Sequence, residues 1–223
     1  MTVEIPEPGA RWPEEVLARR SALPLKPDLG EVRTDRLLLR PYAPADADEL
    51  HTISCGDPVT RMGRSVDAYD ADRLIWRFMP WGPFASAAEL RAGLDALAER
   101  PDNRTYTVVD TARGELVGSC SLLANRPHDL VVEVGAIWYT PAVQGLGVNR
   151  EAALALADAV FALGYQRYEW KCNARNLRSR HAAEGMGFAF EGVFRAHMVV
   201  KGQRRDTAWY ALVPADDGPG AGR

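Results

Sequence analysis

The sequence predicts an α+β fold in which helices accompany a sheet with adjacent antiparallel strands. Strand and helix patterns alternate along the chain between residues 35 and 213. Two pairs of neighbouring strands are joined by short turns that contain glycine, at residues 112–114 and 201–203, and such turns are typical of β-hairpins. Together, the hairpins and the interspersed helices favour a mixed architecture.

The strands are predicted from β-branched, aromatic or alternating segments. They lie at residues 35–41, 105–109, 116–123, 131–139, 168–172, 188–200 and 207–213. Pro41 ends the first strand, because a proline cannot donate a hydrogen bond to the ladder.

The helices are predicted at residues 46–54, 86–100, 149–164 and 177–185. Ser86 is a good N-cap because Glu89 follows three residues later, and Gly164 is a typical helix stop. The proline-rich first 30 residues have room for one short helix near residues 14–20. The chain is therefore divided into an N-terminal arm (1–30), one domain (31–214) and a disordered tail (215–223) of Asp, Gly and Pro.

Composition excludes several classes of protein. The 223 residues are 47% hydrophobic, which is enough for a core without disulfides or metals. A net charge of −3 lacks the basic excess of a nucleic-acid-binding protein, so we expect no nucleic-acid partner. Three widely spaced cysteines give neither a disulfide framework nor a zinc site. With no signal peptide and no apolar stretch long enough for a membrane span, a cytoplasmic location without membrane contact is expected.

The most informative segment joins the strand that ends at Tyr139 to the next helix. It reads Gln144-Gly145-Leu146-Gly147-Val148-Asn149. Glycines let a ligand approach the backbone, and a helix N-terminus offers free N–H groups and a partial positive charge. A Walker A lysine is absent, and Arg150 stands where a dinucleotide fingerprint needs glycine. An anion site for a pyrophosphate is one interpretation, and a plain helix start with a flexible turn is the other.

The segment Gln144-x-x-Gly147-x-Asn149 resembles the coenzyme A loop of the GNAT acetyltransferases, although that pattern has Gly or Ala in place of Asn149. Residues 34–41, 133–138, 173–180 and 187–192 are similar to segments of the RimJ/RimL-like subgroup, and the match follows family order over residues 32–213. The resemblance implies a mostly antiparallel splayed sheet that holds acetyl-CoA between two parallel strands, without a metal. It also implies an N-acetyltransferase that acts on a primary amine, as a monomer or homodimer.

The same resemblance implies that the cofactor-binding residues are Trp138, Tyr139, Gln144, Gly145, Leu146, Gly147, Val148, Asn149 and Asn176. The backbone of the first two would hold the coenzyme and the carbonyl, and the last would lie near the pantetheine arm. For the base that accepts the amine proton, Glu133 is the best candidate. Strand alternation places it on a face with Gly135, Ile137 and Tyr139. A solvent-facing strand charge is the competing interpretation.

Ser179 is the candidate proton donor to the leaving thiolate. Ala183 occupies the position where many GNAT enzymes have a tyrosine acid, which excludes that residue type there. A role in helix capping with Asn176 is the alternative for this pair. His181 is expected at the surface. The aromatic residues around Pro80 are expected in the core, with an edge towards the cleft.

Two other functions stay open at this stage. A GNAT-like module could bind acyl-CoA as a sensor without catalysis, or the loop could belong to another class of nucleotide-binding protein. Coenzyme A binding without turnover would favour the sensor.

Overall fold

The structure is a computed structural model that describes Gly9 and residues 11–214. Its strands are β1 (Val32–Arg33), β2 (Leu37–Pro41), β3 (Val59–Arg61), β4 (Arg64–Val66), β5 (Arg104–Asp110), β6 (Glu115–Arg126), β7 (Val131–Tyr139), β8 (Arg167–Asn173), β9 (Ala189–Val200) and β10 (Gln203–Leu212). Its α-helices are α1 (Glu14–Ala22), α2 (Ala47–Thr52), α3 (Ala87–Glu99), α4 (Val148–Leu163) and α5 (Leu177–Gly185). The tail predicted at 215–223 lies outside the described residues.

Eight strands form one sheet in the order β1-β2-β5-β6-β7-β8-β10-β9. Each neighbouring pair is antiparallel except β7 and β8, which run parallel. The remaining strands, β3 and β4, make a separate small hairpin. The mixed, mostly antiparallel sheet expected from the sequence is therefore confirmed.

The parallel strands part halfway along their length. Their pairing runs from Val131 opposite Arg167 to Val134 opposite Trp170, and the later residues of both strands are not paired with each other. Beyond that point β7 stays with β6, and β8 stays with β10. A wedge-shaped gap thus opens in the middle of the sheet, as the resemblance implied.

Helices cover both faces of the sheet. On one face the buried side of α4, including Leu156 and Val160, packs against residues of β2, β7 and β8. On the other face Leu50 of α2 packs with Leu90 and Leu94 of α3. Burying one such leucine contributes about 1.5–3 kcal/mol, so these two clusters hold the sheet between its helical layers.

The predicted helix ends are close to those observed. The Ser86 side chain accepts a hydrogen bond from the backbone N–H of Glu89 at 3.2 Å, and Gly164 ends α4 with φ of 105°. The missed elements include the short strand β1, the β3–β4 hairpin, three 3₁₀ turns and a π-helical turn at Asp72–Trp76. Thr60, Arg61, Arg64 and Ser65 give that hairpin no apolar alternation, so the sequence shows no strand signal there.

The N-terminal arm lies on the domain rather than apart from it. Its second part, residues 23–29, is held by Asn125, whose side-chain nitrogen donates to the carbonyls of Pro24 (2.9 Å) and Leu25 (2.8 Å). Leu23 and Leu29 pack against the core. Helix α1 has no buried residue, so its attachment to the domain is superficial.

Candidate active site

A cavity of about 920 Å³ occupies the gap between β7 and β8. Its walls come from residues 133–139 of β7, residues 170–173 of β8, the loop before α4, the start of α5 and much of segment 74–81. Residues from both faces of the sheet contribute. The gap is therefore a passage through the sheet, with a different set of side chains on each side.

A β-bulge at Ala136 changes which side chains of β7 reach this passage. Ala136 has φ of 51°, and the register with β6 shifts by one residue between the pairs Ser119–Trp138 and Ser121–Gly135. Because of this extra residue, the alternation reverses, and Tyr139 joins the core beneath α4. The expectation that Glu133 and Tyr139 share a face is therefore wrong.

The loop before α4 has the geometry of an anion cradle. Gly145 and Gly147 adopt left-handed backbones with φ of 83° and 80°, and Gly147 is the N-cap of α4. The helix makes its first backbone bond from the N–H of Glu151 to Gly147, which leaves the N–H groups of the first turn without helical partners. A Cβ added to Gly145 would meet nothing within 4 Å, so the space in front of the loop is open.

Gln144 ties this loop to its surroundings through its side chain. Its Nε2 donates to the carbonyl of Tyr139 at 3.1 Å, and its Oε1 accepts from Arg178 at 3.0 Å. Arg178 also donates to the carbonyl of Leu74 at 2.9 Å. An arginine of α5 is thus held at the mouth of the cavity, beside the glycine loop.

Glu133 is buried, with 8% of its surface exposed, and is not a solvent-facing strand charge. Its Oε2 lies 2.9 Å from Nζ of Lys171, which also lies 2.8 Å from Oε2 of Glu169. Burial raises the pKa of Glu133 above its ordinary value, although the Lys171 ammonium partly offsets this. Burial also acts to raise the pKa of Glu169, but hydrogen bonds from Lys171 and Arg167 outweigh it and lower that pKa.

Ser179 lies on the opposite side of the passage, at the start of α5. Its hydroxyl oxygen accepts a hydrogen bond from Nε1 of Trp170 at 3.0 Å, which leaves the hydroxyl proton available. Its backbone N–H donates to Oδ1 of Asn176 at 3.2 Å, so Asn176 is the N-cap of α5. The thiol of Cys172 is next to Ser179. Burial raises the pKa of that thiol, and the contact with Ser179 partly offsets the effect.

The structure brings most of the predicted site residues to one cavity. The lining includes Glu133, Trp138, Tyr139, Gln144, Gly145, Gly147, Val148, Asn149, Asn176 and Ser179. Leu146 is not part of it, because its side chain packs against the core and its carbonyl accepts from Arg36 at 3.3 Å. His181 is exposed, as expected, and it also lines the cavity.

The aromatic segment has the expected division of roles. Trp76 is 1% exposed and packs against Phe84 and Trp138, with ring centroids 5.2 and 5.1 Å away. Phe78 and Trp81 line the cavity. Phe78 and Trp81 thus give the cavity an apolar wall, and the buried Trp76 belongs to the core of the same segment.

Sequence reasoning assigned none of the cations that line the cavity to the site, including Lys171, Arg178 and Arg205. Lys171 interrupts the buried residues Trp170 and Cys172, and a lysine at such a position is a signal of internal pairing. Arg178 lies between the two predicted residues of α5, Asn176 and Ser179. No local signal marks Arg205, which follows a turn and precedes a strand pattern.

The described part of the chain has neither a metal-binding cluster nor a membrane-spanning helix. Across residues 11–214, no cluster of three or more His, Cys, Asp or Glu side chains has an arrangement suited to a metal ion. In the same range, no helix is both long and apolar enough to cross a membrane.

Comparison with known proteins identifies the family. The acetyltransferase (GNAT) domain model matches residues 36–189. A GCN5-related N-acetyltransferase from Brucella melitensis is 35% identical, with a TM-score of 0.74 over 84% of this chain and 80% of that one. A probable acetyltransferase of the GNAT family from Chromobacterium violaceum is 24% identical, with a TM-score of 0.76 over 96% of both chains. The search of curated proteins found no match.

The chain therefore belongs to the GNAT acetyltransferase family. It is accordingly an N-acetyltransferase, with acetyl-CoA as its co-substrate. The resemblance to RimJ/RimL-like enzymes extends to the fold. RimL, a ribosomal L7/L12 α-N-protein acetyltransferase solved with coenzyme A, has a TM-score of 0.63 at 19% identity, over 82% of this chain and 98% of that one.

Proposed function

We propose that this protein transfers the acetyl group of acetyl-CoA directly to a primary amine, with both substrates bound at once. The observation that carries the proposal is the passage through the sheet, which has an anion cradle on one face and a buried carboxylate on the other. RimL is described as an α-N-acetyltransferase of a ribosomal protein. The proposed acceptors are therefore protein N-termini and small-molecule amines.

The residues around the loop fit the phosphates of acetyl-CoA. Gly145 and Gly147 leave the backbone N–H groups uncovered, and the dipole of the 16-residue helix α4 favours negative charge at this end. Arg150 and Arg178 line the same part of the cavity and bring two guanidinium groups. When bound there, acetyl-CoA supplies an acetyl thioester, a reactive acyl donor.

Glu133 is placed to accept the proton of the amine. In the transfer, the ammonium loses one proton to a base, a nitrogen–carbon bond forms and a carbon–sulfur bond breaks. The nitrogen then releases a second proton as the leaving thiolate takes one up. A carboxyl whose pKa is raised by burial is a stronger base than an exposed one. Its ion pair with Lys171 keeps the carboxylate ionised, so Glu133 can receive the proton directly or through a water molecule.

Ser179 is placed to protonate the leaving thiolate. Its oxygen already accepts a hydrogen bond from Trp170, so the hydroxyl proton is the group that Ser179 has to offer, and the Cys172 thiol competes with the leaving thiolate for it. A hydroxyl is a weak acid, and its contribution is to stabilise a thiolate by hydrogen bonding as much as to transfer a proton. In this proposal Glu133 acts on the attacking amine and Ser179 acts on the leaving thiolate.

The cysteines support direct transfer rather than an acetyl-enzyme. The reactive form of cysteine is the thiolate. Burial raises the pKa of Cys120 to about 12 and also raises the pKa of Cys172, so both are held as thiols. A covalent route would need a nearby base to activate one of them.

The test is to measure release of coenzyme A from acetyl-CoA with N-terminal peptides, amino acids and aminoglycosides as acceptors. We expect turnover with at least one primary amine, and no acetyl group retained by the protein after brief mixing with labelled acetyl-CoA. A variant with all three cysteines replaced by alanine is the control and should stay active. Labelled acetyl on a cysteine would overturn direct transfer. Tight binding of acetyl-CoA without turnover of any amine would indicate a sensor.

A further inference from the structure

The charges in the cavity are strongly unbalanced. Among the described residues that line it, Glu133 is the one acid. The lining cations are Arg77, Arg100, Arg150, Lys171, Arg178 and Arg205. Acetyl-CoA phosphates account for positive charge beside the glycine loop, but these cations are not all on that side.

Three of these six cations have carboxylate partners in the protein. Arg77 pairs with Asp72 and Arg100 with Asp102, at 3.5 and 3.4 Å. Lys171 is shared between two carboxylates, as described above. Arg150, Arg178 and Arg205 have no ion pair in the described part of the chain. Arg150 donates to the carbonyl of Gly185 and Arg178 to that of Leu74, beside the glycine loop. Arg205 instead donates from Nε to Oγ1 of Thr207 at 3.1 Å.

Arg205 lies on the Glu133 side of the sheet. Its hydrogen bond to Thr207 places Arg205 on the face of Thr207 and Trp209, opposite the core residues Ala208 and Tyr210. Nζ of Lys171 lies 4.0 Å from the ring centroid of Trp209. Lys171 in turn contacts Glu133. The glycine loop and Ser179 lie on the other face, with the core beneath α4 and α5. Arg205 is therefore placed to meet the acceptor rather than the phosphates.

The guanidinium of Arg205 is partly buried and has no ion-pair partner in the described part of the chain that would offset the cost of its burial. The residue is half-buried, and burial lowers the pKa of its guanidinium from the ordinary value, although the Glu133 carboxyl opposes this. A partly desolvated charge without an anionic partner is costly. An anion brought by a ligand would remove that cost, because guanidinium and carboxylate form paired, charge-assisted hydrogen bonds.

We propose that the acceptor is a primary amine that also carries a carboxylate, and that Arg205 binds this carboxylate. The inference rests on the proposed acetyl transfer and deepens it. In this arrangement Glu133 receives the amine proton while Arg205 fixes the other end of the acceptor. Two sources share this chemistry: a free amino acid, through its α-carboxylate, and a peptide with an acidic side chain near its N-terminus.

The experiment compares acceptors with and without that carboxylate, and kcat/KM is expressed per unprotonated amine. One arm uses free amino acids and their α-amides, and the other uses peptide amides with Glu or Gln as the second residue. At saturating acetyl-CoA, we expect kcat/KM to favour the carboxylate member by about 10- to 100-fold in one arm, the range for a hydrogen bond to a charged group. Arg205→Met should remove the preference, and Arg205→Lys should restore part of it. Affinity for acetyl-CoA should stay unchanged.

Arg100→Met is the matched control, because Arg100 lines the same cavity but is already paired with Asp102. It should leave the preference intact. Equal kcat/KM within both arms, or a preference that survives Arg205→Met, would overturn the inference while leaving acetyl transfer standing. If no amine is turned over, the proposed function fails. In that case, each acceptor is titrated into the protein with bound coenzyme A and its affinity is measured by calorimetry. Tighter binding of the carboxylate member would support the inference, and equal affinity of the carboxylate and amide members would overturn it.

Discussion

Nζ of Lys171 lies 2.9 Å from Oε2 of Glu133, so the candidate base of this acetyltransferase is half of a buried ion pair. The two residues are on neighbouring parallel strands, close to the point where these strands separate. Burial and the ammonium act in opposite directions on the carboxyl. Burial raises the pKa of Glu133, and the nearby positive charge lowers it. The basicity of Glu133 is therefore adjustable through Lys171.

Replacing Lys171 should move the acidic limb of the pH–rate profile. A base works only when deprotonated, so kcat/KM falls as pH drops through its pKa. Without the ammonium, the pKa of Glu133 rises further, and the acidic limb of Lys171→Met should shift to higher pH. Lys171→Arg keeps the charge and should stay near the wild type. The acceptor amine titrates equally in each case, so the difference between variants reports on the enzyme.

Glu133→Gln provides the second half of this test. This variant should lower kcat/KM by about 10²-fold or more. Its pH–rate profile should also lack the acidic limb, the limb that Lys171→Met shifts to higher pH. Circular dichroism must show that each variant is folded, because Lys171→Met leaves the buried carboxylate of Glu133 without its ion-pair partner and costs about 3–5 kcal/mol. An unchanged acidic limb in folded Lys171→Met would exclude Glu133 as the base.

Gly147→Ala should weaken acetyl-CoA binding beyond its effect on stability. Gly147 has φ of 80°, where any side chain is strained, and its Cβ would stand beside the N-terminus of α4. Gly114→Ala is the matched control, since it has φ of 67° in the β5–β6 turn, away from the cavity. Both should lose about 1 kcal/mol of unfolding free energy. Calorimetry should show weaker binding for Gly147→Ala alone, and equal affinities would reduce the loop to a helix start.

The sequence could predict the parts of the site that depend on local order. The loop from Gln144 to Asn149 follows a strand and precedes a helix, and both glycines need the left-handed backbone that they adopt. The start of α5 could also be predicted from the sequence, because the side chain of Asn176 caps the helix by accepting a hydrogen bond from the backbone N–H of Ser179. In each case the deciding interaction joins residues less than six positions apart.

The rest depends on long-range pairing that a single sequence does not reveal. Contact between Glu133 and Lys171 follows from β7 and β8 being neighbours in one register. Alanine rarely adopts a positive φ, so Ala136 itself gives no signal of the bulge. The neighbouring Gly135 is a local hint, because a glycine inside a strand often marks a bulge, but it does not show which residue bulges. The effect of the bulge on Tyr139 was therefore mispredicted. Arg205 reaches the cavity only because β10 pairs with β8.

Ser179→Ala should lower kcat with little change in acetyl-CoA affinity. If the hydroxyl assists the leaving thiolate, its loss costs about 10²-fold in kcat, at the lower end for proton-transfer groups. Ser179→Thr keeps the hydroxyl and should recover most of the rate. Asn176→Ala distinguishes catalysis from capping, since it should cost about 1 kcal/mol of stability through the lost N-cap. A stability loss without a rate effect in Ser179→Ala would assign Ser179 to structure alone.

Shortening the arm should show that its two parts contribute unequally. Removal of residues 1–22 deletes α1, which buries no side chain, and should change the unfolding free energy by about 1 kcal/mol or less. Removal of residues 1–29 also strips Leu23 and Leu29 from the core and leaves Asn125 without its two backbone acceptors. We expect that variant to lose about 2–4 kcal/mol.

Acetyl-CoA affinity distinguishes a structural arm from a functional one. Residues 23–29 contact the edge of α3 and strands β5 and β6, through pairs such as Lys26 with the carbonyl of Ala98 at 2.5 Å. None of residues 1–30 lines the cavity in the part of the chain that the structure describes. Both shortened variants, where folded, should therefore bind acetyl-CoA like the full chain in calorimetry. A folded variant beginning at Gly30 that no longer binds acetyl-CoA would show that the arm belongs to the cofactor site.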